Sequence, residues 1–290
     1  MSLKRETAKW AEYQLLDSGD FEKLERFGDV IMVRPEPQAL WGKSSVASLS
    51  SNAGWEHAHL VYSRIGREGE WQSLKSVPEA WTVKWEDLSF HVRPTSFKHT
   101  GLFPEQASNW EYLRNHLRPG QKLLNLFGYT GGASMAAASV GVDVTHCDAS
   151  KPVVTWGREN LELSGLNDKK VRWIVDDAQR FVAREIRRGN IYDAIIMDPP
   201  AFGRGPEGEV WQFEKHLPLL LDECLKILNP KHGMLLVNAY SLGFPALAIE
   251  NLVKTAVPFA KEFETVELTL KESSERGFEL PTGIVVRASW

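Results

Sequence analysis

The chain has 290 residues, of which 43% are apolar and 25% charged, and its formal net charge is −4 at pH 7. That length buries the core of one large domain beside a smaller one, and the composition excludes disorder, collagen and a disulfide scaffold. With two cysteines (Cys147 and Cys224) there is no CxxC metal clip, no apolar run reaches the ~20 residues of a membrane helix, and the acidic balance carries no global basic signature of nucleic-acid binding.

The amino-terminal stretch "MSLKRETAKWAEYQLLDSGD" lacks the apolar core of a signal peptide, and with only two cysteines a reducing cytoplasm is the expected location. A helix is expected over 4–16, because Trp10, Tyr13 and Leu16 share a face at i, i+3 and i+6. To about residue 95 the chain then reads as short β segments: "GDVIMVRPEP", "HAHLVYSRIG" and "WTVKWEDLSFHVRP" are β-branched and aromatic, bounded by Gly and Pro. "SSVASLSSNAG" reads as a loop. Six of the eleven tryptophans fall in this part: Trp10, Trp41, Trp55, Trp71, Trp81 and Trp85. Rings on a sheet can stack bases, but core packing is the commoner use of large aromatics. Residues 1–95 are therefore expected to form a β-rich subdomain that helps bind substrate.

From about residue 120 strands alternate with helices. "QKLLNLF", "VDVTHCD", "KVRWIVDD", "YDAIIMD" and "GMLLVNAY" are strands. "ASMAAASV", "ASKPVVTWGRENLELSG", "AQRFVAREIRRG", "VWQFEKHLPLLLDECLKILNP" and "PALAIENLVKTAVPFA" are the intervening and following helices. "FETVELTLKES" and "TGIVVRASW" close the chain as two more strands. Seven strands in this rhythm imply an α/β fold with a doubly wound, mainly parallel sheet. Ligands in such sheets bind beyond the carboxyl ends of the strands, where strand order reverses.

Chemistry-bearing residues collect at those ends. "NLFGYTGGAS" (125–134) follows the first strand, its glycines permitting close backbone approach and the next helix offering free N–H groups to an anion. The spacing is not GxGxxG. Asp148 stands twenty positions after Gly128, the distance at which an acid reaches ribose hydroxyls. Alone it equally reads as a cap for the helix that begins near Ser150. Asp177 can accept from an adenine amine while the Ala178 amide donates to a ring nitrogen, with an N-cap role for Asp177 as competitor and Asp176 on the opposite side. After the fourth strand come Asp198, Pro199, Pro200 and Phe202: prolines end the strand and leave carbonyls without adjacent donors, Asp198 can accept from a substrate amine, and Phe202 can hold a flat ring.

These motifs in this order resemble class I S-adenosylmethionine-dependent methyltransferases, and within them the bacterial large-subunit ribosomal RNA cytosine-C5 and guanine-N7 methyltransferases. The resemblance covers 97–240. It implies a Rossmann-like methyltransferase domain over 96–290 and S-adenosyl-L-methionine as cofactor. It places the Phe127–Gly132 loop (Phe127, Gly128, Tyr129, Thr130, Gly131) against the methionine part, Asp148 at the ribose, Asp177 with Ala178 at the adenine, and Asp198–Phe202 at the acceptor, with Asn125, Ala149 and Asp198 also among the cofactor-binding residues. "FKHTGLFPEQASNW" (97–110) is similar to the family's TG-x-F-x-D-x-R segment at the cofactor. Thr100, Gly101 and Phe103 match it; Glu105 stands for the acid and Ala107 replaces the Arg.

One departure bears on the chemistry. Cytosine-C5 methylation needs a cysteine nucleophile, which in the family's C5 enzymes follows the fifth strand. Here "LLVNAYSLGF" has Tyr240 at that place, and "PPAFGRGP" carries no cysteine. Direct in-line transfer to a base nitrogen of ribosomal or other RNA is the expected reaction, with an RNA substrate as partner. Protein or small-molecule methylation, an NAD(P)-dependent oxidoreductase and a non-catalytic RNA-binding module are the alternatives. No metal site is expected: His57 and His59 share a strand face but lack a third ligand. His99 and His216 lie near the cleft without an orienting carboxylate, and Ser134 and Ser241 lack a nucleophile-elbow setting. The basic runs at Lys169–Lys170 and 184–188 read as solvated faces.

Overall fold

Alternating β-branched and aromatic residues build the amino-terminal half as strands from its outset. In chain order these are β1 (Lys4–Thr7), β2 (Tyr13–Gly19), β3 (Glu22–Phe27), β4 (Val30–Pro35), β5 (Leu60–Ile65), β6 (Glu68–Ser73), β7 (Trp81–Trp85) and β8 (Leu88–Val92). The computed structural model describes residues 3–44, 54–65, 68–240 and 243–290; most of the expected loop "SSVASLSSNAG" and the expected Ser241 lie outside them. Strands β2 to β6 make a five-stranded sheet in sequence order, and β7–β8 pair separately.

The helix expected over 4–16 is not there. Residues 13–19 pair antiparallel with β3 through a two-residue turn at Asp20 and Phe21, both left-handed (φ 53° and 64°). Such a turn matches strand twist, and its usual marker is Asn-Gly, which this sequence lacks. A bulge between Leu15 and Asp17 re-aims Leu16 into a cluster with Leu24, Ile31 and Val33. Trp10 instead meets Tyr13, Trp85 and Phe90, with ring centroids 5.9–6.5 Å away. The helical spacing of the three residues was coincidence. His57 and His59 do not alternate on a strand either: His57 ends a 3₁₀ turn (Trp55–His57), and His59 Nδ1 accepts from the Ile31 amide at 3.1 Å.

The tryptophans are structural anchors. Trp85 is buried, and the other five donate their indole N–H to nearby protein oxygens. Trp10 bonds Pro104 O, Trp41 bonds Ser18 O, Trp55 bonds the Asp17 carboxylate, Trp71 bonds Thr95 O and Trp81 bonds Phe27 O, all at 2.7–3.1 Å.

The remaining elements are α1 (Ala107–His116), β9 (Lys122–Leu126), α2 (Gly132–Ser139), β10 (Asp143–Asp148), α3 (Lys151–Leu163), β11 (Val171–Val175), α4 (Ala178–Arg188), β12 (Ala194–Met197), β13 (Phe202–Arg204), β14 (Val210–Gln212), α5 (Phe213–Leu225), β15 (Met234–Ala239), α6 (Ala246–Ala256), β16 (Glu262–Lys271) and β17 (Glu279–Ser289). They form the doubly wound fold expected, in a sheet ordered β1-β16-β17-β15-β12-β9-β10-β11. It has eight strands among the described residues rather than seven, the extra one being β1. Strands β9, β10, β11, β12 and β15 run parallel, and β17 is antiparallel to β15.

Strand alternation divides the apolar side chains between two faces. Leu124, Leu126, Ile195 and Met197 pack with residues of α4, α5 and α6. Leu123, Ile196 and Leu236 pack with α1 and α2. Each such fully buried leucine contributes about 1.5–3 kcal/mol relative to exposure, so β9 is fixed from both sides.

The helix expected from Val210 begins only at Phe213. Residues 210–212 fold back on 202–204 as a hairpin, with Phe202 opposite Gln212 and Arg204 opposite Val210. The intervening "GPEGE" supplies the turn, and pairing overrides the helical reading of "VWQFEK".

By contacts the chain divides into two compact units, and it passes between them at four points rather than at residue 95. One comprises Met1–Glu6, Asn109–Leu268 and Gly283–Trp290; the other comprises Thr7–Ser108 and Thr269–Thr282. Among the described residues no helix is long and apolar enough to cross a membrane.

Candidate active site

The chain builds β9, β10 and β11 outward in one direction, then returns to place β12 and β15 on the other side of β9. This reversal opens a crevice between β9 and β12. Register aligns what lies at its edge: Leu126 pairs with both Cys147 and Met197, and Asp148 pairs with Val175. The residues at or just past each strand's end (Phe127, Asp148–Ala149, Asp176–Asp177 and Asp198) therefore emerge side by side. The Gly128 amide donates to Cys147 O at 3.0 Å, and the Asp176 amide to Asp148 O at 3.1 Å.

The loop after β9 is strained. Phe127 and Tyr129 both have left-handed backbones (φ 55° and 50°), and Gly131 follows at φ 88°. Two bulky residues in that region cost of order 1–3 kcal/mol each and persist only where the surroundings impose them. Asp148 is one restraint, its Oδ2 accepting from the Tyr129 amide at 3.0 Å. Asn160 of α3 is a second, donating to Thr130 O at 3.1 Å. Phe127 itself packs on Trp211, with ring centroids 4.9 Å apart. Gly128 has no alternative, since a Cβ would lie 2.4 Å from His146.

Beneath the loop lies a buried polar chain that sequence reasoning missed. The Asn125 amide donates to Ser134 Oγ at 2.9 Å, and Ser134 Oγ stands 3.0 Å from His146 Nδ1. The hydroxyl accepts from Asn125 and shares a hydrogen bond with the His146 ring, which links α2 to β10. Burial pushes the His146 pKa down to about 3. The Asn125 side chain thus supports α2 from within the core, and Ser134 is fully buried.

Asp148 Oδ1 also accepts, from the Ser150 amide at 2.9 Å. Ser150 is the N-cap residue of α3, so this bond holds the turn before the helix and does not cap it; it coexists with the loop contact, and lone pairs on both oxygens remain for a ligand. Burial raises its pKa against the effect of the two amides. Asp177 caps α4, its Oδ1 accepting from the Arg180 amide at 3.0 Å, and Ala178 is the first residue of that helix. Asp176 points elsewhere and pairs with Arg184.

At the end of β12 the Asp198 amide donates to Leu126 O at 3.4 Å. Pro199 is buried and Pro200 exposed. The Pro200 carbonyl is not presented to a ligand as expected, because the Trp211 indole N–H donates to it at 2.7 Å. Phe202 is 54% exposed. Behind this turn runs a second missed network. Asn238 donates to Met197 O at 3.1 Å and accepts from Asn109 at 2.8 Å, and Asn109 in turn accepts from Arg287 at 3.0 Å. Its members come from α1, β15 and β17, so no local spacing announces it.

Phe103 lies in the other unit, with its ring 5.3 Å from His99. Burial, with nearby cations as the lesser cause, pushes the His99 pKa down to about 4. His216 Nδ1 accepts from the Gln212 amide at 2.8 Å. Both cysteines are fully buried, and burial pushes both thiols well up. Among the described residues no group of three or more His, Cys, Asp or Glu side chains is placed to hold a metal ion.

Fold and strand-edge chemistry together define a nucleoside-binding α/β protein. The chain belongs to the S-adenosylmethionine-dependent methyltransferase family, whose model matches residues 33–262. It is 39% identical to a SAM-dependent methyltransferase from Agrobacterium tumefaciens solved by crystallography, with a TM-score of 0.92 over 99% of this chain and 93% of that one. It is 23% identical over 215 residues to ribosomal RNA large subunit methyltransferase K of Neisseria meningitidis, covering 72% of this chain and 60% of that protein. It is 33% identical over 146 residues to a putative ribosomal RNA large subunit methyltransferase of Methanocaldococcus jannaschii, covering 49% and 38%. The chain thus spans 60% and 38% of the length of these two curated relatives.

S-adenosylmethionine is accordingly the cofactor, and the donor set suits it. The first turn of α2 has no side-chain cap, leaving its amides open to a carboxylate. Asp148 has spare acceptor capacity for hydroxyls, and the free oxygen of Asp177 beside the Ala178 amide offers an acceptor–donor pair to a purine edge.

Proposed function

We propose that this protein methylates a base nitrogen of RNA, with large-subunit ribosomal RNA as the first substrate to test, by direct in-line transfer. The observation that carries this reading is the Asp198-Pro199-Pro200 turn, set across the β9–β12 crevice from the strained loop, while both thiols are sealed in the core. The bound cofactor supplies an electrophilic methyl group. The chain's residues hold and align: Phe127–Gly131 and the α2 amides take the amino-acid end, Asp148 and Ala149 the ribose, Asp177 and Ala178 the adenine. Asp198 accepts from an acceptor N–H, aided by the Pro199 carbonyl, and Phe202 covers the face of the base. Alignment and exclusion of water are the main contributions open to such a site, and an error of about 1 Å costs about a hundredfold in rate. The names of the relatives support RNA as the acceptor and, with it, a cytoplasmic location.

The test is transfer of labelled methyl groups from S-adenosylmethionine into RNA and protein fractions of cells lacking the gene. Label in ribosomal RNA, released on digestion as an N-methylated nucleoside, is the expected result. Label confined to protein removes the RNA reading, and a C5-methylated pyrimidine removes the in-line nitrogen chemistry.

A further inference from the structure

The β13–β14 hairpin directly follows the acceptor turn and has two unlike faces. Gly203 and Trp211 face inward, with Trp211 buried against Phe127 and the Pro200 carbonyl. Strand alternation puts Phe202, Arg204, Val210 and Gln212 on the outer face as two cross-strand pairs. Phe202 is 54% exposed and Val210 45%. A two-stranded ribbon has no core of its own in which to bury these two apolar side chains, and both stay exposed beside the Asp198–Pro200 turn.

Charges of both signs lie around it. At the hairpin tip Glu207 and Glu209 are both paired with Arg180. Arg204 is exposed and makes no ion pair with another described residue. The basic runs that stand out in the sequence are differently placed: Lys169 pairs with Asp168, Lys170 with Asp143, Arg184 with Asp176 and Arg188 with Glu185. A second half-exposed ring, Phe244, stacks at 6.0 Å on Phe213, the residue that follows β14.

We propose that the outer face of this hairpin binds the single-stranded RNA beside the methylated base, Arg204 taking a backbone phosphate and Val210 lying under the adjoining sugar. The proposal rests on the RNA reading above. A guanidinium flanked by apolar and aromatic groups suits a strand whose charge lies on its backbone and whose bases offer flat faces.

The probe is protein-free large-subunit ribosomal RNA from cells lacking the gene, with Arg204→Ala and Arg204→Lys compared against wild type. Arg204→Ala should raise KM for this RNA about tenfold while leaving S-adenosylhomocysteine affinity unchanged. The dependence of log KM on log salt should fall by about 0.7, the value of one phosphate contact on a single strand. Arg204→Lys should recover the salt slope and part of the KM. Wild-type KM and salt slope in Arg204→Ala, on RNA that the wild type methylates, overturn the hairpin surface and leave the RNA reading standing. If the wild type methylates no RNA, both fall together.

Discussion

Asp198→Ala tests the acceptor side of the proposed site. Asp148 and Asp177 each restrain backbone, at Tyr129 and at the first turn of α4, so substituting them disturbs the cofactor loop as well as any contact to ligand. In Asp198→Ala the amide still reaches Leu126 O and the two prolines still end the strand. The expected result is a fall in kcat of about a hundredfold, with S-adenosylhomocysteine affinity by calorimetry within about threefold of wild type. A large loss of affinity instead would assign Asp198 to the cofactor. His146 makes a second test at this scale. Burial holds its pKa at about 3 in the folded protein, against about 6.5 in the unfolded chain. Between those values the unfolded state carries the extra proton, so stability falls as pH drops, by about 1.4 kcal/mol per pH unit. His146→Asn keeps a hydrogen-bonding group for Ser134 and does not titrate. Between pH 7.5 and 5.5 the wild type should lose about 1.4 kcal/mol more than this variant in urea unfolding. Parallel losses would mean that the ring takes up its proton without unfolding.

At the scale of elements, the hairpin ties the two halves of the site together through one side chain. Trp211 touches Phe127 of the cofactor loop with its ring and the acceptor turn with its N–H. Trp211→Phe should keep most of the packing and lose the bond to Pro200, a net loss of about 1 kcal/mol. Cofactor affinity should then stay near wild type while kcat falls severalfold, a split that simple destabilisation would not produce. The sequence announced the strands around this site because each is a continuous apolar run ending in Gly, Pro or Asp. It announced Asp148 because an acid twenty positions beyond a glycine loop has a geometric meaning. It did not announce β13 and β14, which are three residues each and too short for a period to show. Nor could it reveal Asn125–Ser134–His146 or Asn109–Asn238–Arg287, whose members come together only when separate elements pack. That the Asn125 side chain turns into the core toward Ser134 was not legible either.

Over the whole molecule, the parallel sheet was legible and its edge was not. The stretch taken for a helix supplies instead a strand that completes the far side of the sheet from β11. It is fixed there by charge: Glu6 holds the buried Arg287 at 2.8–3.0 Å, and Lys4 pairs with Glu264. Arg287 also donates to Asn109 and so closes the chain of bonds leading to Met197 at the acceptor turn. The two units are likewise built from both ends of the sequence, since 269–282 completes one and 283–290 the other.

The placement of β1 has a consequence for anyone who divides the chain. Strand β16 is ten residues long, and four residues from the opposite end of the sequence cover its outer side. A segment beginning near residue 96 would leave that row of N–H and C=O groups unpaired, an adhesive border on which further copies could add strand upon strand. Insolubility of such a fragment would report this uncovered border, not a failure of the methyltransferase core to fold.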